Sequence, residues 1–541
     1  MVLLVVSYNP AELMAANPAY WADAMGIQVQ GGRFVFGDRE YQVQPMCDCS
    51  RVKTWMKGTQ VGGTEAELIT NFHGLIHGRY PSGVMYVFPG ESDVTDFSKT
   101  RATELISRNK LAIGQFVGNI NAAGVRKIGN GYLYARFASL NQNIQGIAKQ
   151  SKHLRSTPVD KIVYEEFDLH DPEAEEQAES RKGASDVDES VYISNPTVPD
   201  YGIHRKYEQS DQRHRWIKCP KCNKFTTCLE LSFPECVLER HGKTYYGCIK
   251  CGTELNRRQG EWVAHERGNE FPGWWISRFQ SLKASGDAAR IIARFRHPDL
   301  DIANFYRMVW GKPYVDASHR LTPQMVYECC GPDAMQSRST GPCAMGVDVG
   351  KVLNVVIGRK IGEKARQILW VGRVDGFEDL HDLGKWYNVQ CCGIDFEPET
   401  RMCRKFRDQE PYPVYLIDYA DRTVKVSTED EQAGVVRVGR TELCDETHNL
   451  IANQLVELPR KKHKEIELFA KQCAAMVKFI QDTPSGKVRG RYVKTGDGQD
   501  HYRHALGYFQ QACEYLPVYN PASTRHHSKK DDHGTEDLLH V

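Results

Sequence analysis

Apolar residues recur along this chain with two periods, and the alternation between them lays out a series of strands and helices. Residues 65–76 carry Leu68, Ile69, Phe72 and Leu75 at helical spacing, which predicts a helix behind a glycine-containing turn. A strand-like run opens at Val52 ahead of that turn, and residues 84–89 read as a second buried strand. Residues 159–168 form a short apolar strand closing on the paired acids Glu165 and Glu166. Residues 191–197 form another, closing on Ser194-Asn195-Pro196-Thr197. Strands alternating with helices predict an α/β fold with a mostly parallel sheet covered by helices on both faces.

Farther along, the pattern turns to consecutive strands at 344–349, 352–360 and 366–374, with Gly350 and Gly362 marking turns between antiparallel neighbours. A helix over 378–387, a short strand over 391–395, another helix and a strand over 413–417 follow. A late helix opens at Asp500 and buries Leu506 with Tyr508 or Phe509. At 541 residues the chain has room for two or three domains, each with its own core.

Charge adds little. With 70 basic against 69 acidic residues, any nucleic-acid contact must come from a local basic surface. The opening Val2-Leu3-Leu4-Val5-Val6 is too short for a signal-peptide core, and no apolar run approaches the roughly 20 residues of a membrane span. The chain reads as cytosolic. In that compartment its seventeen cysteines point to metal ligation or burial rather than disulfides. The polar stretch 525–533 reads as a solvated tail.

Three clusters carry candidate chemistry. The first is the turn Lys57-Gly58-Thr59-Gln60-Val61-Gly62-Gly63-Thr64-Glu65. A phosphate-binding loop needs small residues so that backbone N–H groups reach phosphate oxygens, a helix start behind it, and a lysine. Gly58, Gln60, Gly62 and Gly63 shape the loop, and Thr64 stands where a hydroxyl holds Mg²⁺. The lysine that ordinarily precedes that hydroxyl is replaced by Gly63; Lys57, seven residues before Thr64, is the loop's one lysine. About 100 residues downstream, Glu165 suits the metal role through water and Glu166 the orientation of an attacking water.

The second cluster is Cys219-Pro220-Lys221-Cys222 and Cys248-Ile249-Lys250-Cys251, two C-x₂-C knuckles separated by 25 residues. Four thiolates at this spacing suit tetrahedral Zn²⁺ in a closed, structural shell. Cys228 and Cys236, without partner spacing, read as buried. The third is a set of acids at strand and helix ends: Asp348 within an apolar strand, Asp395 closing another, and Asp500 or Asp497 before the last helix. An unpaired carboxylate in an apolar strand is costly, and two divalent ions about 4 Å apart would resolve that cost while activating water.

These residues resemble the large subunit of tailed-bacteriophage terminases, in particular the lambda-like packaging branch. The resemblance runs from about Arg51 to Tyr515. It includes Leu154-Arg155-Ser156, the stretch from Tyr207 to Arg213, Phe271-Pro272-Gly273-Trp274 and Gly311-Lys312-Pro313-Tyr314. It implies a P-loop ATPase domain over 1–215, a zinc ribbon inserted at 216–256, the end of the ATPase region and a linker at 257–338, an RNase-H-like nuclease domain over 339–518, and a tail at 519–541. It implies ATP and Mg²⁺ or Mn²⁺ beside the zinc, and a lysine at the loop's start acting on the phosphates. Arg155 is then the arginine that reaches a neighbouring subunit's ATP in a ring, with Tyr41 and Gln44 at the adenine. Its implied partners are double-stranded DNA, a terminase small subunit and the portal of a procapsid, in the host bacterial cytoplasm and with no membrane. His504 stands where the family often has a second aspartate. An RNase-H-like recombination nuclease with a non-hydrolysing nucleotide domain is the alternative reading.

Overall fold

The computed structural model describes residues 9–30, 32–138, 157–170, 172–420, 434–482, 488–496 and 498–519. The chain divides into two compact units, Met1–Tyr314 and Val315–Val541.

The first unit is built on an eight-stranded sheet. In chain order its strands are β1 (Val52–Lys57), β2 (Val84–Phe88), β3 (Val117–Ala122), β4 (Val125–Ile128), β5 (Gly131–Phe137), β6 (Lys161–Glu165) and β7 (Glu189–Ser194). The eighth, β13 (Gly273–Ile276), arrives after an excursion. Across the sheet the order is β13-β1-β7-β6-β2-β5-β4-β3. The six strands from β13 to β5 are parallel, and β4 and β3 extend the edge antiparallel. Period-2 alternation explains why these strands read as unbroken apolar runs. Trp55, Tyr86, Val163 and Ile193 enter one core, while Met56, Val87, Ile162 and Tyr192 enter a second on the opposite face.

The excursion between β7 and β13 holds β8 (His214–Lys218), β9 (Phe225–Cys228), β10 (Val237–Arg240), β11 (Lys243–Tyr246) and β12 (Gly260–Val263). β8 pairs with both β9 and β12, and β10 with β11 forms a hairpin. Cys228 and Cys236 are fully buried inside it, as their spacing suggested.

The second unit is a seven-stranded sheet. Its strands are β14 (Cys343–Asp348), β15 (Leu353–Lys360), β16 (Arg366–Val374), β17 (Val389–Asp395), β18 (Val414–Ala420), β19 (Val435–Gly439) and β20 (Val456–Glu457). The order is β19-β18-β17-β14-β15-β16-β20. β14, β15 and β16 are antiparallel neighbours, and β17, β18 and β19 run parallel to β14. A separate hairpin, Met476–Asp482 with Val488–Lys494, stands apart from this sheet. The closing helix His501–Cys513 lies directly on the sheet, because Gly346 of β14 and Gly393 of β17 leave its backbone room that a Cβ at either position would fill. Among the described residues no helix is long and apolar enough to cross a membrane.

Candidate functional sites

The loop between β1 and the helix α1 (Gly63–Ile76) is positioned from three sides. At α1's N-terminus Gly62 takes φ 75°, a left-handed conformation that favours glycine, and this turns the chain so that the first N–H groups of the helix face outward. Gly58 N donates to Ile276 O at 2.8 Å, and Thr59 N donates to Met308 O at 2.8 Å. Arg278 Nε donates to Thr59 O at 3.0 Å. From below, the Tyr41 hydroxyl donates to Val61 O at 3.1 Å, and Gln42 Nε2 donates to the same oxygen. Gln44 is occupied elsewhere, accepting from Trp274 Nε1 at 3.0 Å. The two residues expected at the adenine, Tyr41 and Gln44, thus each make a side-chain hydrogen bond within the protein. Gln42, which the sequence reading passed over, braces the loop.

Lys57 ends β1, and its stem passes over Gly63. A Cβ added at Gly63 would stand 3.1 Å from Lys57 Cδ and 3.5 Å from its Cε. The lysine thus arrives from the strand side at the place where a residue preceding Thr64 would project its own side chain. The glycine is what lets it cross.

Opposite the loop, Glu165 ends β6. Its Oε2 accepts from Thr64 Oγ1 at 3.0 Å, and its other oxygen is buried with no hydrogen-bond partner. Burial, with Glu166 and Glu67 nearby, raises this carboxyl to about 8, against the pull of Lys57 and Thr64. A buried acid with a free oxygen beside a threonine hydroxyl is a donor set that fits a divalent cation on a phosphate. Glu166 follows at φ 51°, a left-handed non-glycine position, and Gln60 in the loop has φ 60°. Such conformations cost about 1–3 kcal/mol and cluster at functional sites.

The segment after β7 ties these parts together. Asn195 Nδ2 donates to Lys57 O at 2.8 Å. Asp168 accepts from Thr197 N and Oγ1, both at 2.7 Å, and from Ile203 N at 2.6 Å. Burial raises the Asp168 carboxyl to about 7. Beneath α1, Glu67 is fully buried, 2.5 Å from Lys161 Nζ and 4.0 Å from Lys53 Nζ, and Lys161 lies 3.6 Å from Glu189. Arg155 falls outside the described residues.

The four knuckle cysteines converge. The Sγ atoms of Cys219, Cys222, Cys248 and Cys251 all lie within 4.8 Å of one another, a set that fits one tetrahedral Zn²⁺ with no position left open. Among the described residues this is the one group of three or more Cys, His, Asp or Glu donors drawn so close.

In the second unit the strand register sets Asp348 and Asp395 side by side, since Val347 pairs with Ile394. Burial, then the Asp348 charge, raises Asp395 to about 7. Two neighbouring carboxyls, Asp348 buried and Asp395 half-buried, without a basic partner for Asp395 fit a cation. Asp500, the third acid expected, lies among basic groups. Its carboxylate lies 2.8 Å from Lys494 Nζ, 3.3 Å from His504 Nε2 and 4.0 Å from Arg440. His501, unremarked in the sequence reading, places Nδ1 2.8 Å from Asp348 Oδ2. Asp497 falls outside the described residues.

Residues 42–274, which hold the loop, Glu165 and Glu166, match the family model described as phage terminase large subunit gpA, ATPase domain. This part of the chain is an α/β ATPase domain of the phage terminase large-subunit type. The crystal structure of the HK97 bacteriophage large terminase is similar over both units, with 10% identity, 91% of this chain and 99% of that chain covered, and a TM-score of 0.50. The large terminase from a thermophilic bacteriophage aligns at 11% identity over 88% of this chain and 98% of that one, with a TM-score of 0.31. The nuclease domain of the large terminase subunit gp2 of bacterial virus Sf6 aligns at 9% over 36% and 98%, with a TM-score of 0.24. No curated protein matches the chain in sequence.

Proposed function

We propose that this chain is the large subunit of a DNA-packaging terminase of the lambda-like branch. Its first unit hydrolyses ATP to drive double-stranded DNA into a procapsid. Its second cleaves concatemeric DNA at the start and end of each genome. The observation that carries the motor half is the crossing of Lys57 over Gly63 toward Thr64, opposite Glu165, inside the span matched by the ATPase family model.

In this reading the N–H groups of Gly62, Gly63 and Thr64 hold the phosphates, with Gly58 and Gln60 shaping the loop, and Lys57 neutralises charge that builds toward the terminal phosphate. Mg²⁺ held by Thr64 and Glu165 supplies charge neutralisation when bound. Glu166 orients the attacking water and accepts its proton. Arg155 completes the site of a neighbouring subunit in a homo-oligomeric ring. In the second unit, Mg²⁺ or Mn²⁺ seated on Asp348 and Asp395 supplies water activation and stabilisation of the leaving 3′ oxygen. The four cysteines hold Zn²⁺ and do no chemistry. The ATPase, ribbon, linker, nuclease and tail limits at 215, 256, 338 and 518 belong to the same proposal. So do the partners: a terminase small subunit and the portal, in the host bacterial cytoplasm.

The test is ATP turnover with and without double-stranded DNA, together with plasmid cleavage with and without Mn²⁺, on the purified full chain. DNA-stimulated hydrolysis and metal-dependent cleavage are expected. Cleavage without hydrolysis would leave a nuclease with an inert nucleotide domain.

A further inference from the structure

We propose that the tip of the cysteine-bearing insertion is a docking surface for the phosphate backbone of double-stranded DNA, formed by Lys218, Lys221, Lys224 and Lys250 with Phe225 and Ile249. This rests on the packaging reading above and names a place in the first unit where the duplex is held.

Charge carries it. Residues 212–229 and 240–253 contain no aspartate or glutamate, yet they supply these four lysines. Lys221, Lys224 and Lys250 are exposed, and Lys218 is half-buried. None of the four forms an ion pair among the described residues. Lys243, on the neighbouring hairpin, is the contrast: its Nζ lies 2.6 Å from Glu254. Beside the unpaired lysines, Phe225 is 40% exposed and Ile249 52% exposed.

The two knuckles bring these residues together. Asn223 N donates to Cys219 O at 2.9 Å and Gly252 N donates to Cys248 O at 2.8 Å, so both turns close in the same way. Lys221 and Lys250 hold the same position in each, one residue before a cysteine. The four sulfurs, all within 4.8 Å of one another, set the turns side by side. Lys218 stands opposite Phe225 in the β8–β9 register, which puts both side chains on one face.

Zn²⁺ on four thiolates leaves a double negative charge, and two of the lysines balance it. The other two have no counter-charge in the fold. Lysine is a point charge on a flexible stem, which suits a duplex that presents one negative charge per about 1.7 Å of its axis. A motor that holds every sequence in turn needs contacts to the backbone rather than to base edges.

The experiment is fluorescence anisotropy of the full chain on a labelled duplex, titrated across salt concentrations without nucleotide or added divalent ion. Each phosphate neutralised adds about 0.9 to the slope of log affinity against log salt. Lys221→Gln combined with Lys250→Gln should therefore flatten that slope by about 2. With the lines meeting near about 1 M salt, binding at about 0.1 M should weaken roughly 50-fold. Lys221→Arg with Lys250→Arg should bind like the wild type, and bound zinc should be kept in both pairs. Lysine acetylation read by mass spectrometry needs no variant to fold: the duplex should protect Lys221 and Lys250. Zinc lost from the glutamine pair would assign the lysines to the metal shell and overturn the proposal. So would an unchanged slope, or equal reactivity of both lysines with and without duplex, which would leave an acidic protein surface as the occupant. Each of these leaves the packaging reading standing. A wild-type chain without salt-dependent duplex binding overturns both.

Discussion

Gly63→Ala isolates the crossing of Lys57 from every other feature of the loop. The added methyl would lie 3.1 Å from Lys57 Cδ and 3.3 Å from Trp55 Cε3, closer than the roughly 3.5–4.0 Å optimum for carbon contacts. Trp55 is fully buried and cannot yield, so the lysine stem must move. For folding, the clash of about 1–3 kcal/mol is offset by the gain of about 1 kcal/mol for alanine over glycine in a helix. Melting should therefore shift by only a few degrees. For catalysis, losing one positioned charge at the phosphates should cost about 2.7–4 kcal/mol, or 10²–10³ in kcat. Phosphate release at saturating ATP measures it, with calorimetric melting as the control. The paired variant Lys57→Ala with Gly63→Lys returns a lysine to the place the stem now occupies and should recover turnover to within about tenfold of wild type. Turnover of Gly63→Ala within twofold of wild type, in a chain that melts normally, would refute the crossing.

Other expectations follow from the same geometry. Glu166→Gln should lower ATP turnover by about 10²–10⁴ while Mn²⁺-dependent plasmid nicking persists; Asp348→Ala should do the opposite, and assaying both variants for both activities checks the pair. Cys219→Ser should drop bound zinc from one equivalent to none by metal analysis and open residues 216–256 to proteolysis, whereas normal zinc content would count against the quartet. Asp168 is raised to about 7 in the fold from an ordinary 3.8, so its contribution to stability is full below about pH 4 and lost as pH rises through 7. The upper bound is about 4 kcal/mol, and denaturant midpoints between pH 5 and 8 should fall less steeply in Asp168→Asn.

Much of this architecture was legible because burial on both sheet faces leaves a plain mark: an unbroken apolar run such as that at β2. The helix behind the loop, the antiparallel trio β14–β16 and the thiol quartet each follow from local periodicity or spacing. The three strands at 117–137 went unread, since β3 is mostly exposed and carries little apolar pattern. The roles of Gln42, Asp168 and His501 also escaped, for a common physical reason. Each is a polar side chain whose meaning comes from a partner 19, 29 or 153 residues away, and no short-range signal records that pairing. Asp500 drew attention by type and place, and its contacts with Lys494 and His504 emerge only in the fold.

The insertion that carries the four cysteines is the part whose place in the molecule changes most once packing is known. By sequence it is an insertion with no chemistry. In the fold, the short helix after β9 buries Glu230, whose Oε1 accepts from Ser277 Oγ at 2.7 Å and from Gln280 Nε2 at 3.0 Å. Between those two residues lies Arg278, which holds Thr59 of the phosphate loop through its carbonyl at 3.0 Å. Trp310 Nε1 donates to Glu230 O at 2.9 Å, and the same segment supplies Met308 O to Thr59. Glu230 therefore holds both stretches that grip the loop from its outer side, one through its carboxyl and the other through its main-chain carbonyl. Leaving Glu230 buried without those donors would cost more than any one bond returns, so the ribbon and the loop keep their positions together. The insertion that carries the four cysteines thus shares a polar network with the stretches that hold Thr59.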